Sequence, residues 1–176
     1  MNRIWIGKRT TALLLCFWLF LLQGGCAHRE EIPAGAVLSR LLLCEGDCPS
    51  GRIYQSTAEE GESGYFSESL CAALYGDGAV PAGWGAVEEF AIFLSAAGAP
   101  VEIAVFRATS GMGAKEIAGF CARRSALLLR HYRGSEYEGY AAGGRVVILG
   151  RHVLMCISRN AGAAVEEARR MLKGQV

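Results

Sequence analysis

Two pairs of apolar runs, each closed by a glycine-bearing turn, constrain this chain more than any other feature. Val87 to Ser95 (VEEFAIFLS) and Val101 to Ala108 (VEIAVFRA) flank Gly98-Ala99-Pro100, the pattern of two strands joined by a hairpin loop. Arg145 to Leu149 and His152 to Ser158 flank Gly150-Arg151. A Gly-X pair is what a two-residue type II′ turn requires. Between the two hairpins lies the longest helical pattern, about Ala114 to Tyr132. There Ala114, Ile117, Ala118, Cys121, Ser125, Leu128 and Tyr132 share one face, with Lys115, Glu116, Arg123 and Arg130 on the other.

Flanking segments complete the order. Pro33 to Leu43 reads as a helix with Val37, Leu38, Leu41 and Leu42 on its apolar side. Cys44 to Gly64 is polar and Gly-rich apart from Ile53-Tyr54, a candidate short strand in a loop. Ser67 is placed to cap a helix ending at Tyr75, with Gly76 as a left-handed stop. Asn160 is placed to cap a last helix through Lys173, with Gly174 as its stop and Glu166–Arg170 as an exposed i,i+4 pair. Adjacent hairpins with helices between them predict an α+β domain of two layers, with a mainly antiparallel sheet of about four strands and helices packed on it. The core of that sheet is expected from Ile103 and Val105, faced by Val147, Leu149, Val153 and Met155.

The first 25 residues read as something other than this domain. Met1 to Thr11 carries Arg3, Lys8 and Arg9 and no acid, and an unbroken apolar run of 11 residues follows, Ala12 to Leu22. Small residues come next, at Gly24, Gly25, Cys26 and Ala27. A basic start, a short apolar run and a small-residue zone describe an export signal. The run is shorter than the roughly 20 residues that span a bilayer. Leu22-Gln23-Gly24-Gly25-Cys26 resembles a lipobox in its two glycines, although Gln23 stands where the usual Leu belongs. Cys26 is therefore the expected lipid-attachment site, which places the protein on the extracytoplasmic face of the cell membrane. The competing reading is secretion, with cleavage before His28 after the small residues Gly25 and Ala27. Residues 26–176 are then a single α+β domain.

Charge divides that domain. Residues 26–102 hold 3 basic and 12 acidic residues, a net of −9, and residues 103–176 hold 12 basic and 5 acidic, a net of +7. Each half alone would be marginally small for a core, so one fold with mutually attracting faces is the simpler arrangement. With 52% apolar and 20% charged residues the chain can build a core. After the signal its slight net acidity excludes a polybasic nucleic-acid binder.

Four segments together resemble a known family: the strand Glu102-Ile103-Ala104-Val105-Phe106, the helix CARRSALLLRHY, the strand pair with GRHVLMCIS and the upstream helix end LCAALYG. They look like a family of predicted lipoproteins from Gram-positive anaerobes, labelled only as domain of unknown function 4358. The similarity covers roughly Gly64 to Leu172. It implies export, lipid attachment and a small α+β domain, and it brings no established activity or ligand. Where members tend to have an aromatic in the hairpin, this chain has His152.

Motifs for catalysis are missing from the sequence. There is no Gly-x-Ser-x-Gly elbow, no Walker loop and no His-Glu-x-x-His, so no catalytic residue, metal or cofactor is assigned. Cys71, Cys121 and Cys156 lie within apolar patterns and read as small buried hydrophobes. Cys44 and Cys48 flank Glu45-Gly46-Asp47 in a polar loop, where a local disulfide is the candidate. Zinc would need two further ligands at suitable spacing, and no second pair accompanies them. His131 ends a helix, where positive charge suits the dipole, and His152 borders a turn. Adjacent acids such as Glu88-Glu89 and Glu166-Glu167 point in different directions and read as solvated surface. The expected function is a membrane-tethered, non-catalytic module that binds an envelope protein or a small ligand, with no nucleic-acid partner. The alternative is a cell-envelope enzyme, or a thiol or metal protein, whose site is dispersed along the chain.

Overall fold

In the computed structural model the described residues are 31–46, 48–96 and 98–173. The expected export signal, Cys26 and the expected helix stop at Gly174 lie outside them. The described residues form one compact unit. Its helices are α1 (Ala34–Cys44), α2 (Glu68–Tyr75), α3 (Gly111–His131), α4 (Glu138–Ala142) and α5 (Ala161–Met171), with a 3-10 turn at Ala82–Ala86. Its strands are β1 (Gly51–Gln55), β2 (Val87–Ser95), β3 (Glu102–Ala108), β4 (Arg145–Leu149) and β5 (His152–Ile157). They form one antiparallel sheet in the order β1-β2-β3-β5-β4. The fold is α+β. Among the described residues no helix is long and apolar enough to cross a membrane.

Both expected hairpins are present. Gly150 closes the second with φ +62°, the left-handed value that the first central position of a type II′ turn demands. The sheet has five strands rather than four, because Ile53-Tyr54 belongs to β1, which pairs with β2 through Ile53↔Phe93 and Tyr54↔Ile92. Apart from Tyr54 its side chains are exposed, so no apolar alternation marks it in the sequence. Backbone pairing holds this edge strand in place.

Helices cover both faces of the sheet, which gives three layers instead of two. Ile103, Val105, Leu154 and Cys156 pack with Val37, Leu38 and Leu41 of α1 and with Ala164 and Ala168 of α5. Ala104, Phe106, Val153 and Met155 pack with Ile117, Phe120 and Cys121 of α3 and with Cys71 and Tyr75 of α2. Val147 and Leu149 therefore share the face of Val105, whereas Val153 and Met155 serve the opposite core. Every residue of β5 is buried, and so is every residue of β3 except Arg107. Strands buried on both faces read as continuous apolar runs and lose the period-2 alternation.

Helix ends follow local chemistry with two departures. The Ser67 hydroxyl accepts from the Leu70 amide at 3.2 Å, and that of Ser110 accepts from the Gly113 amide at 3.0 Å, each satisfying an amide left open in the first turn. Gly76 is not left-handed. Its φ is −123°, and the positive values fall one and two residues on, at Asp77 (+53°) and Gly78 (+95°). Glycine is needed at 76 for space, since a Cβ there would lie 1.5 Å from the Ala79 carbonyl oxygen. Asn160 makes no side-chain cap for α5. In α5 the acids pair at i,i+3, Glu166 with Arg169 and Glu167 with Arg170, and Glu167 also accepts from Arg40 of α1 at 2.7 Å. That third contact crosses between helices and leaves Glu167 buried beside the exposed Glu166, so the two adjacent acids do different things.

Candidate functional site

Strand β3 carries a charge at each end, and the two ends are built differently. Glu102 shares the face of Ala104 and Phe106, toward α3. It is 3% exposed. One carboxylate oxygen accepts from the Tyr75 hydroxyl at 2.9 Å. The other accepts from Arg124 Nε at 3.0 Å and Nη2 at 2.8 Å. A buried charge is tolerated when it is paired and its oxygens are hydrogen-bonded. Arg124 reaches Glu102 because α3 places it on the stripe of Ile117, Cys121 and Leu128, all buried. Tyr75 is fixed by rings on three sides, with centroids 5.5 Å from Phe120, 5.7 Å from Phe106 and 6.3 Å from Trp84. Burial, reinforced by the Glu102 charge, holds the Tyr75 phenol well above its ordinary pKa, so it stays protonated and donates. The same two causes raise the buried Cys121 thiol.

This trio lies under a groove between α2 and α3. A cavity of about 490 Å³ is lined by Leu74, Asp77, Val80 and Pro81 on one side and by Arg123, Leu127 and Arg130 on the other, with Arg124 and Tyr75 also in its wall. Arg124 also lines two adjoining concavities, one toward His131 and Tyr132 and one reaching Pro100, Val101 and Glu102. Among the described residues Arg123 and Arg130 have no acidic partner. Arg124 Nη1 makes no hydrogen bond there, its Nε and Nη2 being held by Glu102. The N–H groups that remain are donors for an anion. The carboxylate beneath them already has both oxygens occupied, so binding is the chemistry this arrangement supports.

The other end of β3 is a crowded ion cluster. Arg107 faces Glu88 at 3.2 Å, Glu89 at 3.2 Å and Glu31 at 3.8 Å. Arg151 is bound through Nε and Nη2 to Glu31, and through Nη1 to Glu88 at 3.0 Å and to the Ala108 carbonyl at 3.1 Å. Glu89 also accepts from the Ala34 amide at 3.1 Å, a carboxylate at the positive end of α1. His152, buried, donates from Nε2 to the Ile32 carbonyl at 2.9 Å, and burial lowers its pKa. Glu31, Glu88, Glu89 and Glu102 from the acidic stretch thus all meet Arg107, Arg124 or Arg151 from the basic one. Part of the divided charge is paired within one fold.

Cys44 and Cys48 carry free thiols and are half-buried. Cys44 closes α1, and Cys48 packs against the core on that side of the sheet. Burial, then the Glu45 charge, raises the Cys48 thiol. Cys71, Cys121 and Cys156 are buried, and burial pushes Cys156 up to about 12. His131 is exposed and stacks edge-on to Tyr132 with centroids 4.8 Å apart. Among the described residues no three His, Cys, Asp or Glu side chains converge as metal ligands. Sequence reasoning did not single out Glu102, Arg124 or Tyr75. The available signal was a lone acid opening an apolar strand and a lone base on the apolar stripe of a helix. No family model matches the chain, and neither a curated protein nor a solved structure matches it.

Proposed function

We propose that this is an exported envelope protein, lipid-anchored through Cys26, that acts as a non-catalytic binding module through the α2–α3 groove. In this reading the chain is similar to the lipoprotein family labelled domain of unknown function 4358. The observation that carries the binding role is Arg124: a guanidinium clamped by a buried carboxylate through Nε and Nη2, in the wall of a cavity. Side chains locked by packing and hydrogen bonds present a ligand with a preformed surface and reduce the entropy lost on binding. The anchor rests on the basic start, the 11-residue apolar run and Gly24-Gly25-Cys26.

Both parts are tested on the native protein in membranes. A lipid-anchored protein partitions into detergent and resists salt extraction, because salt screens charges but leaves acyl-chain burial intact. Mass spectrometry of the mature N-terminus should find acylated Cys26, and Cys26→Ser should release the protein or leave its signal uncut. An unmodified chain beginning at His28 would sink the anchor. Cross-linking in solubilised membranes should then capture a partner or ligand from the wild type and lose it in Arg123→Glu/Arg130→Glu. Capture indifferent to that change would sink the groove as the binding site.

A further inference from the structure

We infer that the α2–α3 groove binds a small amphipathic organic anion, a phosphate or carboxylate carried on an aliphatic or aromatic body; this rests on the binding-module reading above. Arg123, Leu127 and Arg130 are spaced i, i+4 and i+7 on α3. They form one stripe about 10 Å long, with a cation at each end and an apolar side chain between. Leu127 is 43% exposed, and Val80 across the groove is 41% exposed. An inorganic anion would satisfy the guanidinium groups and leave this apolar surface wet. A neutral hydrophobe would cover the surface and leave the charges unanswered. A ligand with an anionic head and an apolar body does both.

The charge balance points the same way. Of the acids beside the groove, Glu102 is already neutralised by Arg124, which leaves Asp77 alone against Arg123 and Arg130. Arginine is suited to this role because its planar fork presents paired N–H donors to the oxygens of a carboxylate or phosphate. Size argues for a small molecule, since about 490 Å³ falls within the range of pockets that enclose metabolite-sized ligands. The groove and the start of the domain lie at opposite ends of β3. The chain enters the domain at Glu31, beside Arg107 and Arg151, and Glu102 lies five residues of extended strand away, about 17 Å.

The test is a methyl-detected NMR titration of the detergent-solubilised native protein. The probes are benzyl phosphate and phenylacetate, with inorganic phosphate and benzyl alcohol as controls. Benzyl phosphate or phenylacetate should shift the Leu127 and Val80 methyls saturably, with Kd at least ten-fold below that of either control. Arg123→Gln/Arg130→Gln should raise that Kd at least ten-fold with Tm unchanged, because both side chains are exposed. Inorganic phosphate binding as tightly as benzyl phosphate would overturn the proposal. Shifts confined to another surface, or saturable binding to phosphatidylglycerol vesicles that shifts the same methyls in place of the probes, would also overturn it. A protein that ignores both probes but still loses a captured envelope partner on Arg123→Glu/Arg130→Glu would overturn the ligand class alone and leave the binding-module reading standing.

Discussion

At the Glu102 end of β3 one carboxylate meets one guanidinium and one phenol, in a buried setting where each oxygen is used. At the Arg107 end three carboxylates share two guanidinium groups in a half-exposed cluster. The first arrangement has no redundancy, so losing any member strands a buried polar group. The second has substitutes for most of its contacts and stitches the start of the domain to β2, β3 and the β4–β5 turn. Position follows the same division: the sparse trio underlies a cavity, and the crowded cluster closes the end where the chain enters. Precision is concentrated at one end and redundancy at the other.

The comparison fails outright if β3 is not the strand between the two cores. Val105 is 1% exposed and packs against α1 and α5. Val105→Asp would bury an unpaired charge and should unfold the domain. Retention of cooperative thermal unfolding near the wild-type Tm would show that the strand is misplaced.

Smaller changes separate the two ends. Glu102→Leu leaves the largely covered Arg124 without its partner and the buried Tyr75 hydroxyl without its acceptor, and should cost about 3–5 kcal/mol by chemical denaturation. Adding Arg124→Leu should recover much of that loss, since a matched apolar pair removes the stranded charge. Arg107→Gln should cost less, about 1–2 kcal/mol, because Arg151 still holds Glu31 and Glu88. Equal costs for Glu102→Leu and Arg107→Gln would erase the distinction.

Acid should act gently, at the crowded end and at the Arg40–Glu167 contact between α1 and α5. His152 is lowered by burial, and Glu31 is lowered chiefly by its hydrogen bonds from Arg151. For both groups the unfolded chain binds protons at higher pH than the folded one, so stability falls as pH falls. The loss through His152 begins below about pH 6.5, and that through Glu31 below about pH 4.5. Arg151→Gln should flatten the lower part of the Tm-against-pH curve and leave the upper part in place. An unchanged slope below pH 4.5 would remove Glu31 from the account.

Much of the fold was legible because hairpins and caps are local. Val87–Ser95 and Arg145–Leu149 end where their patterns end, and Ser67 caps by a contact three residues away, whereas the Ser110 cap, which starts α3 at Gly111, fell in a stretch that reads as a break. What was not legible depends on distance in the chain. The third layer was signalled by the unbroken apolar run of β5 but needs α1 and α5, at opposite ends of the domain, to return to one face. Edge strand β1 shows no alternation because its side chains face water. Glu102 looked like the polar half of an alternating strand. Only the approach of Tyr75 and Arg124, 27 and 22 residues away, makes it the buried base of a groove.

The central claim, that the Glu102 clamp presents Arg124 to a ligand, is tested most directly by one variant and one titration. Arg124→Lys keeps a positive charge beside Glu102 but loses the planar guanidinium that lines the cavity. The account predicts a folded protein whose Kd for benzyl phosphate rises at least ten-fold. A variant that keeps its fold and binds benzyl phosphate as tightly as the wild type would contradict it.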